Sequence, residues 1–158
     1  MKELWAPWRM QYILEEKNTG CFLCKALEEN EDKKNLILYR GDNVFVIMNR
    51  YPYNNGHLML VPNRHIGELD ELNSEEMLEL MNVLTKMKKV LDKTLKPEGY
   101  NIGINLGKVA GAGVEDHLHI HIVPRWNGDT NFMPVIADTK VMPEYLEKTY
   151  EKIIANIG

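Results

Sequence analysis

The stretch Asp116-His117-Leu118-His119-Ile120-His121-Ile122-Val123 holds three of the five histidines in a chain of 158 residues. Imidazoles alternate with aliphatics, and alternation is the pattern of a half-buried strand. Residues two apart on a strand share a face, about 7 Å apart along it. His117, His119 and His121 would then stand in a row while Leu118, Ile120 and Ile122 enter a core. A merely solvated face does not call for imidazole; Thr, Lys or Glu would serve. Two chemistries do. Neutral imidazole binds zinc, so the row suits a catalytic metal. Imidazole is also largely neutral at pH 7, with a reference pKa of about 6.5. It can attack phosphorus without first losing a proton, while its neighbours orient it and assist the leaving group. Cys21-Phe22-Leu23-Cys24 is the second chemical pattern. A C-x-x-C reads as half a metal site, a redox pair or two small buried residues, and no thioredoxin-like context surrounds it here.

The elements that must carry these residues are legible from periodicity. Leu36 to Tyr39 and Val44 to Met48 flank Gly41-Asp42-Asn43 as a hairpin. His57 to Val61 follows Gly56 as a third strand and stops at Pro62. Met77, Leu80, Met81, Leu84, Met87, Leu91 and Leu95 lie at helical spacing over 74–95, with Asn73 or Ser74 as cap, Glu76 in the first turn, and Pro97 and Gly99 beyond the end. Ile102 to Leu106 and His117 to Val123 are two more strands, joined by a glycine-rich loop. A short helical pattern lies in 4–17 and an amphipathic helix in 143–157. The sum is an α+β domain, an antiparallel sheet of about five strands with one long helix on a face and a C-terminal helix. Its length suits one domain over 1–158. A charge of −4 supplies no basic field for a nucleic acid polymer or an acidic membrane, so an anionic substrate needs local donors. No apolar run is long enough for a signal peptide or a membrane span, and a cytoplasmic location is the expectation.

His117-Leu118-His119-Ile120-His121-Ile122-Val123 resembles the His-φ-His-φ-His-φ-φ signature of the histidine triad family, φ being apolar. Asn49, Pro52 and the run Gly56 to Pro62 are similar to that family's upstream strand and loop, and Asn105-Leu106-Gly107 to its phosphate-contacting turn. The ends LWAPWR and PRWNGDTNFMPV resemble the bacterial branch that cleaves diadenosine tetraphosphate. By that resemblance His119 is the nucleophile at the α-phosphorus of a nucleotide, forming a nucleotidyl-histidine released by water or phosphate. His121 bonds the phosphate and assists the leaving group. The carbonyl of His117 orients His119, and His57 fixes the arrangement. Asn49 is the ribose contact, Asn105 an amide donor, and Gly107, Gly111 and Gly113 turn backbone N–H groups toward an oxyanion. Relatives often carry Gln and Ser or Thr where this chain has Gly113 and Val114, a departure that would admit inorganic phosphate as acceptor.

The same resemblance suggests a structural zinc on Cys21, Cys24, His65 and His117, no organic cofactor, and a homodimer sharing the long helix and one strand. Arg125 and Lys108 are candidates to offset phosphate charge; Trp5, Trp8 and Trp126 more often pack than stack on a base. Phosphoramidate hydrolysis is an alternative within the family. A zinc hydrolase on the three histidines and a non-catalytic nucleotide-binding protein are alternatives outside it.

Overall fold

A computed structural model describes residues 20–158. The helical pattern expected in 4–17, with Trp5 and Trp8, lies outside them. Helices α1 (Phe22–Glu29) and α2 (Asp32–Asn35) lead into strands β1 (Ile37–Arg40), β2 (Val44–Met48) and β3 (Leu58–Pro62). Helix α3 (Ser74–Thr94), strands β4 (Gly99–Ile104) and β5 (Ile120–Arg125), and helices α4 (Met133–Ala137) and α5 (Leu146–Ile154) complete the order. The five strands form one antiparallel sheet in the order β1-β2-β3-β5-β4, as expected of this α+β chain.

Strand alternation feeds two apolar layers. Val44, Val46, Met48, Leu58, Leu60, Ile120 and Ile122 pack with Leu80, Leu84, Met87 and Leu91 of α3 and Tyr150 and Ile153 of α5. The opposite faces of the same strands send Phe45, Ile47, Met59 and Val61 against Leu23 and Ala26 of α1. Burial on both faces explains why β2 and β3 read as continuous apolar runs. Helix α3 begins with a reciprocal cap. Asn73 Oδ1 accepts from the Glu76 N–H at 2.9 Å, and the Glu76 carboxylate accepts from the Asn73 N–H at 2.9 Å.

Several expected boundaries move, by one residue for β1 and β3 and by more elsewhere. The histidine strand begins at Ile120 rather than His117. Upstream of it the Leu118 N–H bonds to the Ile66 carbonyl at 2.6 Å, outside the ladder. β4 runs Gly99–Ile104 because its pairing with β5 extends from Gly99 opposite Arg125 to Ile104 opposite Ile120. α5 is shorter than 143–157, and α1, α2 and α4 went unread in the sequence.

Candidate functional site

His121 lies on β5 between Met59 of β3 and Gly103 of β4. No heavy atom lies within 4 Å of where a Cβ on Gly103 would be, so the small residue leaves space on one flank of the imidazole. His57 sits one residue before β3 and is 0% exposed; His119 and His121 are 5% and 7% exposed. The rings of His119 and His121 meet edge-on with centroids 4.8 Å apart, and His57 and His121 are 5.0 Å apart. Gly56 makes the approach to β3: its φ is +74°, and a Cβ there would lie 2.4 Å from Leu95 Cδ1.

Hydrogen-bond partners decide which nitrogen of each ring carries the proton. A carbonyl only accepts, so the 2.9 Å bond between His119 Nδ1 and the His117 carbonyl places the proton on Nδ1. Nε2 of His119 then keeps its lone pair. A peptide N–H only donates, and the Tyr53 N–H lies 3.0 Å from His57 Nδ1. That makes His57 Nε2 the protonated atom, which donates to His121 Nδ1 at 2.8 Å. His121 in turn carries its proton on Nε2, an atom that is buried with no partner among the described residues. The cluster thus presents one unshared lone pair and one unshared N–H, a nucleophile beside a donor. Burial keeps His57 and His121 neutral. It pushes His57 down to about 3, reinforced by His121, Lys140 and His119, and His121 down to about 4, reinforced by His119.

His117 leaves the row. Its Nε2 donates to the Pro62 carbonyl at 2.9 Å, so Nδ1 holds a lone pair. That lone pair faces Cys21 Sγ at 3.2 Å, Cys24 Sγ at 3.4 Å and His65 Nδ1 at 3.3 Å. Cys24 Sγ is also 3.3 Å from His65 Nδ1, and all four donor atoms lie within 4.8 Å of one another. A tetrahedral ion with metal–sulfur bonds of about 2.3 Å and metal–nitrogen bonds of about 2.0–2.1 Å sets its ligands roughly 3.3–3.8 Å apart. The four residues therefore fit a metal ion, and two thiols with two imidazoles are the donor set zinc prefers. The bond to Pro62 is the outer-shell contact that orients a ligating imidazole. Among the described residues this is the set gathered closely enough for a metal, and it excludes His119 and His121.

The remaining expected residues lie on loops and at strand ends. Asn49 Oδ1 accepts from the Tyr51 N–H at 2.8 Å and turns the chain after β2. The Asn105 amide reaches the Gly111 carbonyl at 3.4 Å across the glycine loop. Gly107 has φ +75° and ψ 164°, a region open to glycine alone. Gly113 faces open space, and Val114 packs against the second core layer. Arg125 directs its guanidinium to Asp129 and Asn101, and Trp126 Nε1 donates to the Lys96 carbonyl. Lys108 is exposed in the loop. Sequence reading missed Tyr53, whose ring lies 4.5 Å from that of His57 and 5.6 Å from that of His121. It also missed Lys140 and Asn54, and gave Asp129, within PRWNGDTNFMPV, no role of its own.

The family model described as HIT domain matches residues 30–128. An AP-4-A phosphorylase of Mycobacterium tuberculosis is 40% identical over 157 residues, covering 94% of this chain and 80% of that protein. A bis(5'-nucleosyl)-tetraphosphatase [asymmetrical] of Schizosaccharomyces pombe is 32% identical over 93 residues, 59% of this chain and 50% of that one. Among solved structures, a Zn-bound histidine triad family protein from Mycobacterium smegmatis superposes with a TM-score of 0.70 at 24% identity, covering 87% of this chain and 93% of that one. The match of the family model across the whole sheet and its histidines, together with a 40% identical relative, means that the chain belongs to the HIT family.

Proposed function

We propose that this chain, a nucleotide hydrolase or phosphorylase of the HIT family, acts at the α-phosphorus of dinucleoside polyphosphates such as diadenosine tetraphosphate. The observation that carries the reading is the tautomer pattern: a lone pair on His119 Nε2 beside an unpartnered N–H on His121 Nε2. His119 Nε2 attacks phosphorus, the N–P bond forms, and the bond to the bridging oxygen breaks. The leaving nucleoside polyphosphate departs as an anion, accepting a hydrogen bond from His121 Nε2–H. The His119 Nδ1–H stays on the His117 carbonyl, which offsets the positive charge the ring acquires. Water or inorganic phosphate then attacks phosphorus and restores His119. His57 holds His121, Asn49 and Asn105 contact the nucleotide, and Gly107 and Gly113 present N–H groups to phosphate oxygens.

Cys21, Cys24, His65 and His117 would hold a structural zinc, which would crosslink α1 and its cap to the turn after β3 and the segment ahead of β5. The protein works in the cytoplasm as a single domain. It pairs through β4, an edge strand whose Ile102 is 49% exposed, as a homodimer. Chromatography of products from diadenosine tetraphosphate, with and without phosphate, tests the activity and its acceptor. ATP and ADP in phosphate buffer support the phosphorylase; ATP and AMP in both buffers support the hydrolase. No turnover at all removes the reading in favour of a nucleotide-binding protein, and preference for adenosine phosphoramidate shifts the substrate within the family.

A further inference from the structure

The tautomers of His57 and His121 hang on one peptide N–H, that of Tyr53, in the loop between β2 and β3. The next residue, Asn54, is 7% exposed and its amide nitrogen reaches two acceptors, the Pro124 carbonyl at 3.0 Å and Asp129 Oδ2 at 2.7 Å. Asp129 lies just beyond β5. Its side chain is 8% exposed and also accepts from Arg125 at 2.6 and 3.0 Å and from the Trp126 N–H at 3.1 Å. The Arg125 guanidinium, with that peptide N–H, holds the Asp129 carboxyl far below the usual carboxylate range, so it stays an acceptor. Asn54 also accepts the His57 N–H on its own carbonyl at 3.2 Å, closing the loop on the histidine it serves.

We propose that Asp129, acting through Asn54, is a positioning residue that keeps the Tyr53 N–H on His57 Nδ1 and thereby makes His121 a donor to the leaving group. This rests on the histidine reading above. Without the anchor, His57 is free to carry its proton on Nδ1. Its Nε2 then accepts, His121 must donate from Nδ1, and His121 Nε2 turns a lone pair toward the leaving oxygen. A donor becomes an acceptor with no change in the side chains that touch substrate.

Asn54→Ala and Asp129→Ala remove the anchor from its two sides. In nitrogen NMR of the full-length parent, both His57 and His121 should carry the proton on Nε2; in the variants His57 and His121 should show protonated Nδ1. Release of phenol from the 4-nitrophenyl and phenyl esters of AMP supplies the second readout. The poorer leaving group needs the hydrogen bond more. We expect the phenyl ester to slow by about tenfold or more and the nitrophenyl ester by less than about threefold. The double variant should be no worse than the worse single one, because both act on one link. Equal slowing of both esters, or unchanged tautomers in variants that melt cooperatively, overturns the proposal. His119→Ala separates the layers. If it still releases phenol at the parent rate, the histidine reading itself falls; if it is inactive while Asn54→Ala leaves the tautomers unchanged, only the positioning role falls.

Discussion

Removing the metal from the Cys21–Cys24–His65–His117 cluster should cost stability in an amount the structure bounds. The four donors come from α1 and its cap, the turn after β3, and the residue three before β5, so an ion there binds the folded arrangement and no local segment. Binding that requires the fold stabilises it by RT ln(1 + [L]/Kd), about 4 kcal/mol when free metal stands a thousandfold above Kd. For a chain of 158 residues each kcal/mol moves the melting temperature by about 2–4 °C, so chelation should lower it by roughly 8–16 °C. The chain should still fold, because Leu23 and Ala26 bury α1 against the sheet without help from the metal. Cys24→Ser, which removes the sulfur 3.3 Å from His65 Nδ1 and 3.4 Å from His117 Nδ1, should give the same loss and no further response to chelator. Burial, with Cys21 beside it, pushes the metal-free Cys24 thiol up to about 11, so binding near neutrality must displace its proton. Apparent affinity should then fall about tenfold for each unit that pH is lowered, per proton released. The assays are elemental analysis of purified protein, expected at about one zinc per chain, and thermal melts with and without chelator. Metal-free protein that melts where the parent does refutes the reasoning.

His119→Ala should remove turnover by several orders of magnitude with an unchanged melt, since covalent and orienting contributions vanish together; steady-state kinetics within tenfold of the parent would overturn the nucleophile. An unfolded histidine titrates near 6.5, while His57 and His121 are pushed down to about 3 and about 4 in the fold, so between those values the unfolded chain binds more protons. Stability present above pH 6.5 should therefore be lost as pH falls toward 4, by up to about 1.4 kcal/mol per unit for each histidine, and His57→Gln should flatten the denaturation profile; equal slopes in the two proteins contradict this. Gly56→Ala places a side chain at φ +74° and 2.4 Å from Leu95 Cδ1, so it should destabilise by about 2–4 kcal/mol in urea titration, and a loss under about 0.5 kcal/mol would show that the turn relaxes.

Periodicity carried most of the fold into view because both faces of β2 and β3 and one face of α3 are apolar. The boundaries of the histidine strand were not visible. Alternation of His and aliphatic residues continues through Leu118 although its peptide bonds to Ile66, and side-chain pattern says nothing of where a ladder starts. The same limit hid the division of labour. Spacing puts His117, His119 and His121 in one row, whereas His117 turns its ring to the cysteines because α1 brings them there. Helix α1 itself was masked by C-x-x-C, which drew attention to metal and away from Leu23 and Ala26 at helical spacing. The pairing of Asn54 with Asp129 left no trace, since a polar residue tied to a partner 75 positions away looks like any loop residue.

Two adjacent amides, Asn54 and Asn55, face opposite ends of the late chain. Asn54 reaches Asp129, and Asn55 meets the hydroxyl of Thr149 on α5 at 3.0 Å, 94 positions away. Tyr150 closes a still longer span, its hydroxyl bonding the Ile37 carbonyl at 3.0 Å across 113 positions. During synthesis the hairpin of β1 and β2 and the helix α3 can form from neighbours alone, while the bonds from Asn54 and Asn55 to Asp129 and Thr149 wait until those residues have emerged. The loop that leads into His57 thus draws on residues made late, and a chain that stops before α5 lacks the bonds of Thr149 to Asn55 and of Tyr150 to Ile37.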